Sequence, residues 1–172
     1  RAIAQGASER NISVVINEKD VKKALNTLHE RFFEDNTKQL NLFVMGVGNV
    51  GEKFIDQINQ QKKFLKENLK INVRVIALSN SKKMIFDEEG ISLKNWKSSL
   101  ENGTSANISE FISNTIALNL RNSIFVDITA NSDVAAIYEQ FLRNSIAVVT
   151  CNKIACSSKF ENYKKLKELS RK

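Results

Sequence analysis

The chain has 172 residues, 42% of them hydrophobic and 26% charged, and its formal net charge is +7. These values are typical of one globular domain with a sizeable core, and the lack of a run of about 18 apolar residues excludes a transmembrane helix. The N-terminal region also lacks the apolar core of a signal peptide. Because the chain begins at Arg1 rather than Met and ends at Lys172 within a helical pattern, we expect a segment of a longer cytoplasmic polypeptide.

Most of the positive charge lies at the C-terminal end. Residues 153–172 contain seven basic and two acidic residues, which accounts for +5 of the net charge of +7. We interpret this segment as a solvated helix face. The alternative is nucleic-acid binding, which favours basic residues spread along one face with aromatic residues between them, and that pattern is not evident here. We therefore expect neither a nucleic acid nor a membrane as a partner.

The cysteines indicate a reducing environment rather than a metal site. Cys151 and Cys156 are five residues apart, and the single histidine, His29, is distant in sequence. This spacing matches neither a CxxC redox pair nor half of a zinc site. We expect two free thiols and no bound metal.

The N-terminal part of the chain predicts a short β-α segment. The run NISVVI at 11–16 indicates a strand. From Val21 onwards apolar residues recur at helical spacing, with Asp20 placed to cap the helix. A polar link at 34–39 follows and indicates a domain boundary. The two predicted domains are residues 1–36 and 37–172.

From Leu40 onwards, strand patterns alternate with helix patterns. The runs that predict strands lie at 40–46, 71–79, 123–129 and 145–150. The segments that predict helices lie at 52–67, 96–100, 108–120, 132–144 and 158–172. Strands separated by helix-length segments pair in parallel through right-handed crossovers. We therefore predict an α/β fold with a doubly wound, mostly parallel sheet.

Three polar residues are candidate helix caps. Asn107 and Ser109 are alternatives for the helix at 108–120, and Ser132 is placed to cap the helix at 132–144. Such side chains accept hydrogen bonds from the unpaired N–H groups of the first helical turn.

The sequence GVGNVG follows the first strand of this array and places glycines at 46, 48 and 51. In a dinucleotide-binding loop the first glycine allows a tight turn, the second lets a pyrophosphate approach the backbone, and the third lets helix and strand pack closely. The helix N-terminus beyond it attracts anions. The alternative is a plain βα turn with incidental glycines, but the flanking strand and helix favour a dinucleotide site.

The end of the second strand, LSNSKK at 78–83, contains no acidic residue. NAD-selective sites of this kind usually carry Asp or Glu there, to bind the ribose 2′-hydroxyl. Asn80 and Ser81 could bind a 2′-hydroxyl or a 2′-phosphate, and Lys82 or Lys83 could neutralise the phosphate. We therefore favour NADP(H) over NAD(H), with an ordinary exposed loop as the alternative for the lysines.

Two further strand ends are expected to meet the same crevice, because ligands bind at the carboxyl ends of parallel strands. They are the segments VDITANS and VVTCNKIA. Thr129 and Asn131 could bind the ribose or the nicotinamide amide, and Lys153 could meet a substrate carbonyl or carboxylate. For each residue, the alternative is a helix cap or a polar loop position.

Four segments in this order resemble the nucleotide-binding domain of homoserine dehydrogenases: FVMGVGNVG, ALSNSK, VDITANS and VVTCNKIA. The leading segments RAIAQGASERNISVVI and ALNTLHERFF resemble the end of the regulatory ACT region of aspartate kinase. Their direct fusion resembles the bifunctional aspartokinase/homoserine dehydrogenase family over nearly the whole chain. The ACT-like sequence and the TCNK segment are far more specific for this family than the glycine spacing is.

The resemblance implies a Rossmann-like domain preceded by an ACT-derived β-α remnant. It implies a homo-oligomeric enzyme that reduces L-aspartate 4-semialdehyde to L-homoserine with NAD(P)H, on the route to threonine and methionine. The kinase half of such enzymes phosphorylates aspartate, and threonine commonly inhibits them through the ACT region.

The resemblance also assigns site residues. On the pyrophosphate loop they are Gly46, Val47, Gly48, Asn49, Val50 and Gly51. On the adenosine-ribose side they are Asn80, Ser81 and Lys82, and on the nicotinamide side Thr129, Ala130 and Lys153. Lys153 is the implied catalytic residue, because the matching lysine of the family is thought to take part in proton transfer or cofactor binding. A desolvated lysine beside a cofactor is chemically suited to that role.

The chain departs from the family pattern at several positions. Cys151 stands where the family has proline, Ile154 where it often has a second lysine, and Ala130 cannot donate a hydrogen bond. The family's downstream substrate-binding and dimerisation domain is missing, so we expect this chain alone to bind NADP(H) weakly without converting homoserine. The alternative function is a non-catalytic nucleotide-sensing module, in which Lys153 has no role.

Overall fold

The computed structural model describes residues 2–5, 12–32 and 37–171. Contacts between Cα atoms divide the chain into two compact units, Arg1–Asn36 and Thr37–Lys172. The predicted polar link spans the division, but its first three residues, 34–36, lie outside the described residues. Its last two residues already belong to a strand, because Lys38 and Gln39 pair with the neighbouring strand.

The first unit contains a two-stranded antiparallel sheet of β1 (Ala2–Gln5) and β2 (Ile12–Val15). The helix α1 (Val21–Phe32) follows. The predicted strand and helix are confirmed in their described parts, whereas β1 was not predicted.

The cap predicted for α1 is wrong. A 3-10 turn, Glu18–Asp20, leads directly into the helix, and the N–H group of Asp20 donates to the Asn17 carbonyl at 2.9 Å. Asp20 therefore lies inside a helical turn, since helical geometry starts earlier than the apolar spacing indicates.

The second unit is built on one six-stranded sheet. Its strands are β3 (Lys38–Met45), β4 (Ile71–Ser79), β5 (Lys83–Phe86), β6 (Thr104–Ser105), β7 (Ser123–Asp127) and β8 (Ala147–Thr150). The spatial order is β6-β5-β4-β3-β7-β8. The strands β4, β3, β7 and β8 pair in parallel, and β5 and β6 extend the sheet antiparallel. A mostly parallel α/β sheet is confirmed.

Helices cover both faces of this sheet. They are α2 (Asn49–Asn68), α3 (Trp96–Glu101), α4 (Ile108–Leu118), α5 (Ser132–Ala136), α6 (Tyr138–Arg143), α7 (Ile154–Ser157) and α8 (Phe160–Leu169). None of the helices in the described ranges combines the length and apolarity that a bilayer crossing requires.

Two hydrophobic clusters lie on opposite faces because successive side chains of a strand point in opposite directions. In β3, Leu42 and Val44 join the cluster that packs against α2 and α3, whereas Phe43 and Met45 join the cluster that packs against α4, α5 and α6. This two-sided burial explains why β3 is a nearly continuous apolar run.

Two further cap predictions are decided by hydrogen bonds. Asn107, not Ser109, caps α4, since its side-chain oxygen accepts from the Glu110 N–H group at 3.0 Å. The prediction of Ser132 is wrong, because Asn131 caps α5 by accepting from the N–H groups of Asp133 and Val134 at 2.7 and 3.4 Å.

Two predicted helices have different bounds in the structure. The predicted helix at 132–144 is divided at Ile137, which separates α5 from α6. The predicted C-terminal helix begins at Phe160 and is preceded by the short helix α7.

Truncation of Phe125 tests the larger core. Its ring is fully buried and stacks on Phe141 at 4.2 Å between centroids. Phe125→Ala should lower the free energy of unfolding by about 3–5 kcal/mol, because it leaves a cavity. The measurement is urea unfolding followed by the fluorescence of the single tryptophan, Trp96, which packs in the other cluster.

Phe64→Ala is the matched control, because Phe64 is 52% exposed. Its effect should stay within about 0.5 kcal/mol. A similar loss for both variants would contradict the assignment of Phe125 to a close-packed core.

Candidate functional site

The four parallel strands all end at the same edge of the sheet, at Met45, Ser79, Asp127 and Thr150. The chain runs from β3 to β4 on one side and returns to β7 on the other side, so β3 lies at a topological switch point. A cleft of about 720 Å³ opens there, within the range of roughly 300–1,000 Å³ typical of ligand sites. It is lined by the loops after β3, β4 and β7 and by the start of α4.

Gly46 forms the turn at the end of β3. Its φ angle is +103°, and a Cβ atom there would lie 2.6 Å from the carbonyl of Ile128. Its N–H group donates to the Ser79 carbonyl at 2.8 Å, which joins the ends of β3 and β4. Only glycine fits this position, because other residues would meet both backbone strain and a steric overlap.

Gly48 and Gly51 have different surroundings. A Cβ atom at Gly48 would meet nothing within 4 Å, whereas at Gly51 it would lie 2.1 Å from the Gly46 carbonyl oxygen. Gly51 therefore lets α2 pack against its own loop. Gly48 leaves open space beside the cleft, and it holds the N-cap position of α2.

The other residues of this loop occupy distinct positions. Val47 lines the cleft, whereas Asn49 and Val50 are exposed on the first turn of α2 and do not line it. Because α2 is 20 residues long, its first N–H groups and its dipole present a positive end at the loop.

The loop after β4 is held by the side chain of Asn80. Its Oδ1 atom accepts from the N–H groups of Lys82 and Lys83, both at 2.7 Å. Asn80, Ser81 and Lys82 all line the cleft. Of the two lysines named for this loop, Lys83 donates its ammonium group to the Gly103 carbonyl at 2.9 Å, away from the lining residues, and Lys82 is exposed.

The loop after β7 lines the cleft through Thr129 and Asn131, whereas Ala130 is exposed outside the lining. Thr129 Oγ1 accepts from the Asn131 N–H group at 3.2 Å, and its own N–H group donates to Asp127 at 2.7 Å. The loop is therefore shaped by its own hydrogen bonds.

The sequence did not indicate the fourth side of the cleft. Ala106, Asn107 and Ile108 lie there, at the start of α4. Their only sequence signal was the capping potential of Asn107, because the antiparallel strands that bring this loop close were not predicted.

Lys153 lies at the N-terminal end of α7 with an exposed side chain. It does not line the cleft. The burial that would adapt a lysine to proton transfer is therefore not provided by the described part of this chain. Cys151 and Cys156, on either side of it, are free and exposed.

A buried polar network that the sequence analysis missed lies beneath the two loops at this end. Asp127 is fully buried, and its carboxylate accepts from the Tyr138 hydroxyl and from the Asn152 amide, the latter at 3.1 Å. The Tyr138 hydroxyl also contacts Thr150 Oγ1 at 2.7 Å. Burial of the phenol and its hydrogen bond to Asp127 raise the pKa of Tyr138 above its ordinary value.

Comparison with known protein families identifies the family of the domain that carries this cleft. A family model described as homoserine dehydrogenase, NAD binding domain, matches residues 46–172, which includes every loop of the cleft. The chain belongs to the homoserine dehydrogenase NAD-binding domain family. A second model, described as ACT domain, matches residues 1–32.

Relatives of this homoserine dehydrogenase domain carry both regions. The chain is 40% identical to the chloroplastic bifunctional aspartokinase/homoserine dehydrogenase 2 of Arabidopsis thaliana, over 100% of the chain and 19% of the relative. It is 38% identical to the bifunctional aspartokinase/homoserine dehydrogenase of Haemophilus influenzae, over 97% of the chain and 20% of the relative. The chain thus spans about a fifth of the length of these relatives.

The fold is also that of solved homoserine dehydrogenases. A hyperthermophilic archaeal homoserine dehydrogenase in complex with NADPH superposes with a TM-score of 0.61 at 20% identity. The match covers 77% of this chain and 41% of that one.

The different surroundings of Gly46 and Gly48 give a test of the loop in this homoserine dehydrogenase domain. Gly46→Ala should lower the free energy of unfolding by roughly 2 kcal/mol or more, because of its positive φ angle and the overlap with Ile128. Gly48→Ala should cost at most about 1 kcal/mol. Urea unfolding of both variants measures the difference, and equal losses would contradict it.

Proposed function

We propose that residues 37–172 form the nucleotide-binding domain of a homoserine dehydrogenase, which reduces L-aspartate 4-semialdehyde to L-homoserine with NAD(P)H. Residues 1–36 would be the end of an ACT regulatory region, in a homo-oligomeric protein that also carries aspartate kinase. The match of the family model to the loops of the cleft carries this proposal. We place it in the cytoplasm, a reducing compartment in which the two free thiols would stay reduced.

The cleft fits a dinucleotide in two respects. Its volume of about 720 Å³ is large, and Gly48 leaves the backbone open where a side chain would block it. The reduced nicotinamide would supply the hydride for the aldehyde. The loop of Gly46, Val47, Gly48, Asn49, Val50 and Gly51 would hold the pyrophosphate; Gly46 would make the turn, because its own N–H group donates to the Ser79 carbonyl, and the N–H groups at the start of α2 would face the anion. Of the residues expected at the nicotinamide, Thr129 lines the cleft, whereas Ala130 and Lys153 lie beside it.

The loop after β4 supports NADP(H) as the favoured cofactor. The Oδ1 atom of Asn80 already accepts two backbone hydrogen bonds, so it is poorly placed to accept a third from a ribose 2′-hydroxyl. The Ser81 hydroxyl and the Lys82 ammonium remain as donors at the cleft, and a phosphate is bound by donors. The archaeal relative of known structure was solved with NADPH.

The preference is tested with Lys82→Ala. The dissociation constant of NADPH should rise about tenfold and that of NADH less than about twofold, because only the 2′-phosphate loses a charge partner. Titration followed by nicotinamide fluorescence measures both. Lys66→Ala, an exposed lysine in the last turn of α2, is the control and should change neither constant. Equal losses for the two cofactors would refute the 2′-phosphate contact.

The chain alone is expected to bind cofactor without catalysis. Lys153 is exposed and lies outside the cleft, and Lys82, at the adenosine end, is the only acidic or basic side chain among the described residues that line it. Mixing the purified chain with homoserine and NADP⁺ should give no absorbance increase at the nicotinamide wavelength, while NADPH still binds. Measurable turnover would contradict the proposal that the reaction needs further protein.

A non-catalytic nucleotide-sensing module is the second candidate, and the exposure of Lys153 favours it. Replacement of Lys153 by alanine in the full-length polypeptide separates the two functions. A large loss of kcat supports an enzyme that uses Lys153, whereas an unchanged rate removes this residue from the reaction.

A further inference from the structure

The carboxylate of Asp127 occupies an unusual position for a charged group. It is fully buried at the end of β7, and within the described part of the chain no cationic side chain pairs with it. A buried charge is costly unless hydrogen bonds compensate it. Three donors provide that compensation, namely the Thr129 N–H group, the Tyr138 hydroxyl and the Asn152 side-chain amide.

Asn152 connects this carboxylate to two loops. Its amide group donates to Asp127 at 3.1 Å and also to the main-chain carbonyl of Asn131 at 2.9 Å. Its side-chain oxygen accepts from the N–H group of Ile154 at 3.1 Å. Asn152 is only 4% exposed, so these bonds form away from water.

The backbone of Lys153 is consequently fixed from both sides. The N–H group before it, that of Asn152, donates to Thr150 Oγ1 at 2.8 Å, and the N–H group after it, that of Ile154, donates to the Asn152 side chain. The side chain of Lys153 is exposed, whereas the backbone that carries it is held by hydrogen bonds. The same network holds Thr129 and Asn131 through Asp127 and Asn152.

We propose that Asp127 and Asn152 are positioning residues that lock the Thr129–Asn131 loop and the Lys153 loop into one unit, which sets the nicotinamide end of the cleft. This inference rests on the proposed function. Three hydrogen-bond donors converge on the two oxygens of the carboxylate. In Asp127→Asn, the side-chain NH2 group would replace one of these oxygens and would face a donor instead of accepting from it. A carboxylate is therefore required despite its burial.

Tyr138 also stabilises the unit formed by the Thr129–Asn131 loop and the Lys153 loop. Its hydroxyl lies between Asp127 and Thr150, which are paired across β7 and β8. Because burial and the bond to Asp127 raise the pKa of Tyr138, the phenol stays protonated and continues to donate to the carboxylate.

The test compares two ligands of the 172-residue chain. NADPH reaches both ends of the cleft, whereas adenosine 2′,5′-bisphosphate lacks the nicotinamide half and keeps only the groups proposed to contact the loop after β4 and the glycine loop. Asn152→Ala should weaken NADPH about tenfold and leave the bisphosphate within about twofold of its original dissociation constant. A merely structural loss of stability would weaken both ligands alike.

The control is Asn68→Ala, since Asn68 is an exposed asparagine at the end of α2 whose amide donates to the Phe64 carbonyl. Both ligands should bind this variant as they bind the original chain. If Asn152→Ala does not fold, as judged by circular dichroism, Asn152→Ser replaces it, because a hydroxyl cannot reach both acceptors.

Each outcome decides a different claim. Equal weakening of both ligands, or no change in either, overturns the positioning role. If the original chain prefers NADH, then NADH and AMP form the matching pair and the inference is tested unchanged. If the original chain binds neither NADPH nor NADH, the proposed function itself fails, and the inference fails with it.

Discussion

The backbone hydrogen bonds that join three strand ends are the constraint on which the site depends. Gly46 donates to the Ser79 carbonyl at 2.8 Å, and Ile128 donates to the Met45 carbonyl at 2.8 Å. These bonds bring the loops after β3, β4 and β7 to one edge. They also force the turn at Gly46 against Ile128, where a side chain has no room. Three sides of the cleft are thus a consequence of how the sheet ends, and the start of α4 supplies the fourth.

The two ends of the cleft are stabilised by different means. At the β4 side, Asn80 holds its loop by accepting hydrogen bonds from two backbone N–H groups. These bonds join residues two and three positions apart in an exposed loop. At the β7 and β8 side, Asp127 and Asn152 connect segments 25 residues apart through buried side chains. A local turn tolerates changes in neighbouring residues, whereas a buried network requires all of its members. Under the proposed function, cofactor selectivity and the placement of the nicotinamide would therefore rest on structures that tolerate substitution to different degrees.

The sequence predicted the features that depend on local pattern. The strand at Ile71–Ser79 matches because β-branched and other apolar residues dominate it, despite Asn72 and Arg74, and the glycine loop was found because its spacing reflects one turn. The cap of α5 was assigned to Ser132 rather than Asn131, because both residues can cap and only backbone geometry distinguishes them. The antiparallel strand β5 was missed because its apolar run is only three residues long, at 84–86, and lies between two lysines and an acidic run at 87–89. Asp127 was overlooked since its partners come from distant segments.

The open space at Gly48 has a consequence for how related sequences drift. Selection for a folded chain acts on Gly46 and Gly51, where any side chain would overlap the backbone, but it acts only weakly on Gly48. Selection for ligand binding is what would maintain a glycine there. In a lineage that no longer binds a nucleotide, Gly48 should therefore be replaced first, while Gly46 and Gly51 persist. The residue at this one position would distinguish family members that have lost nucleotide binding from those that retain it.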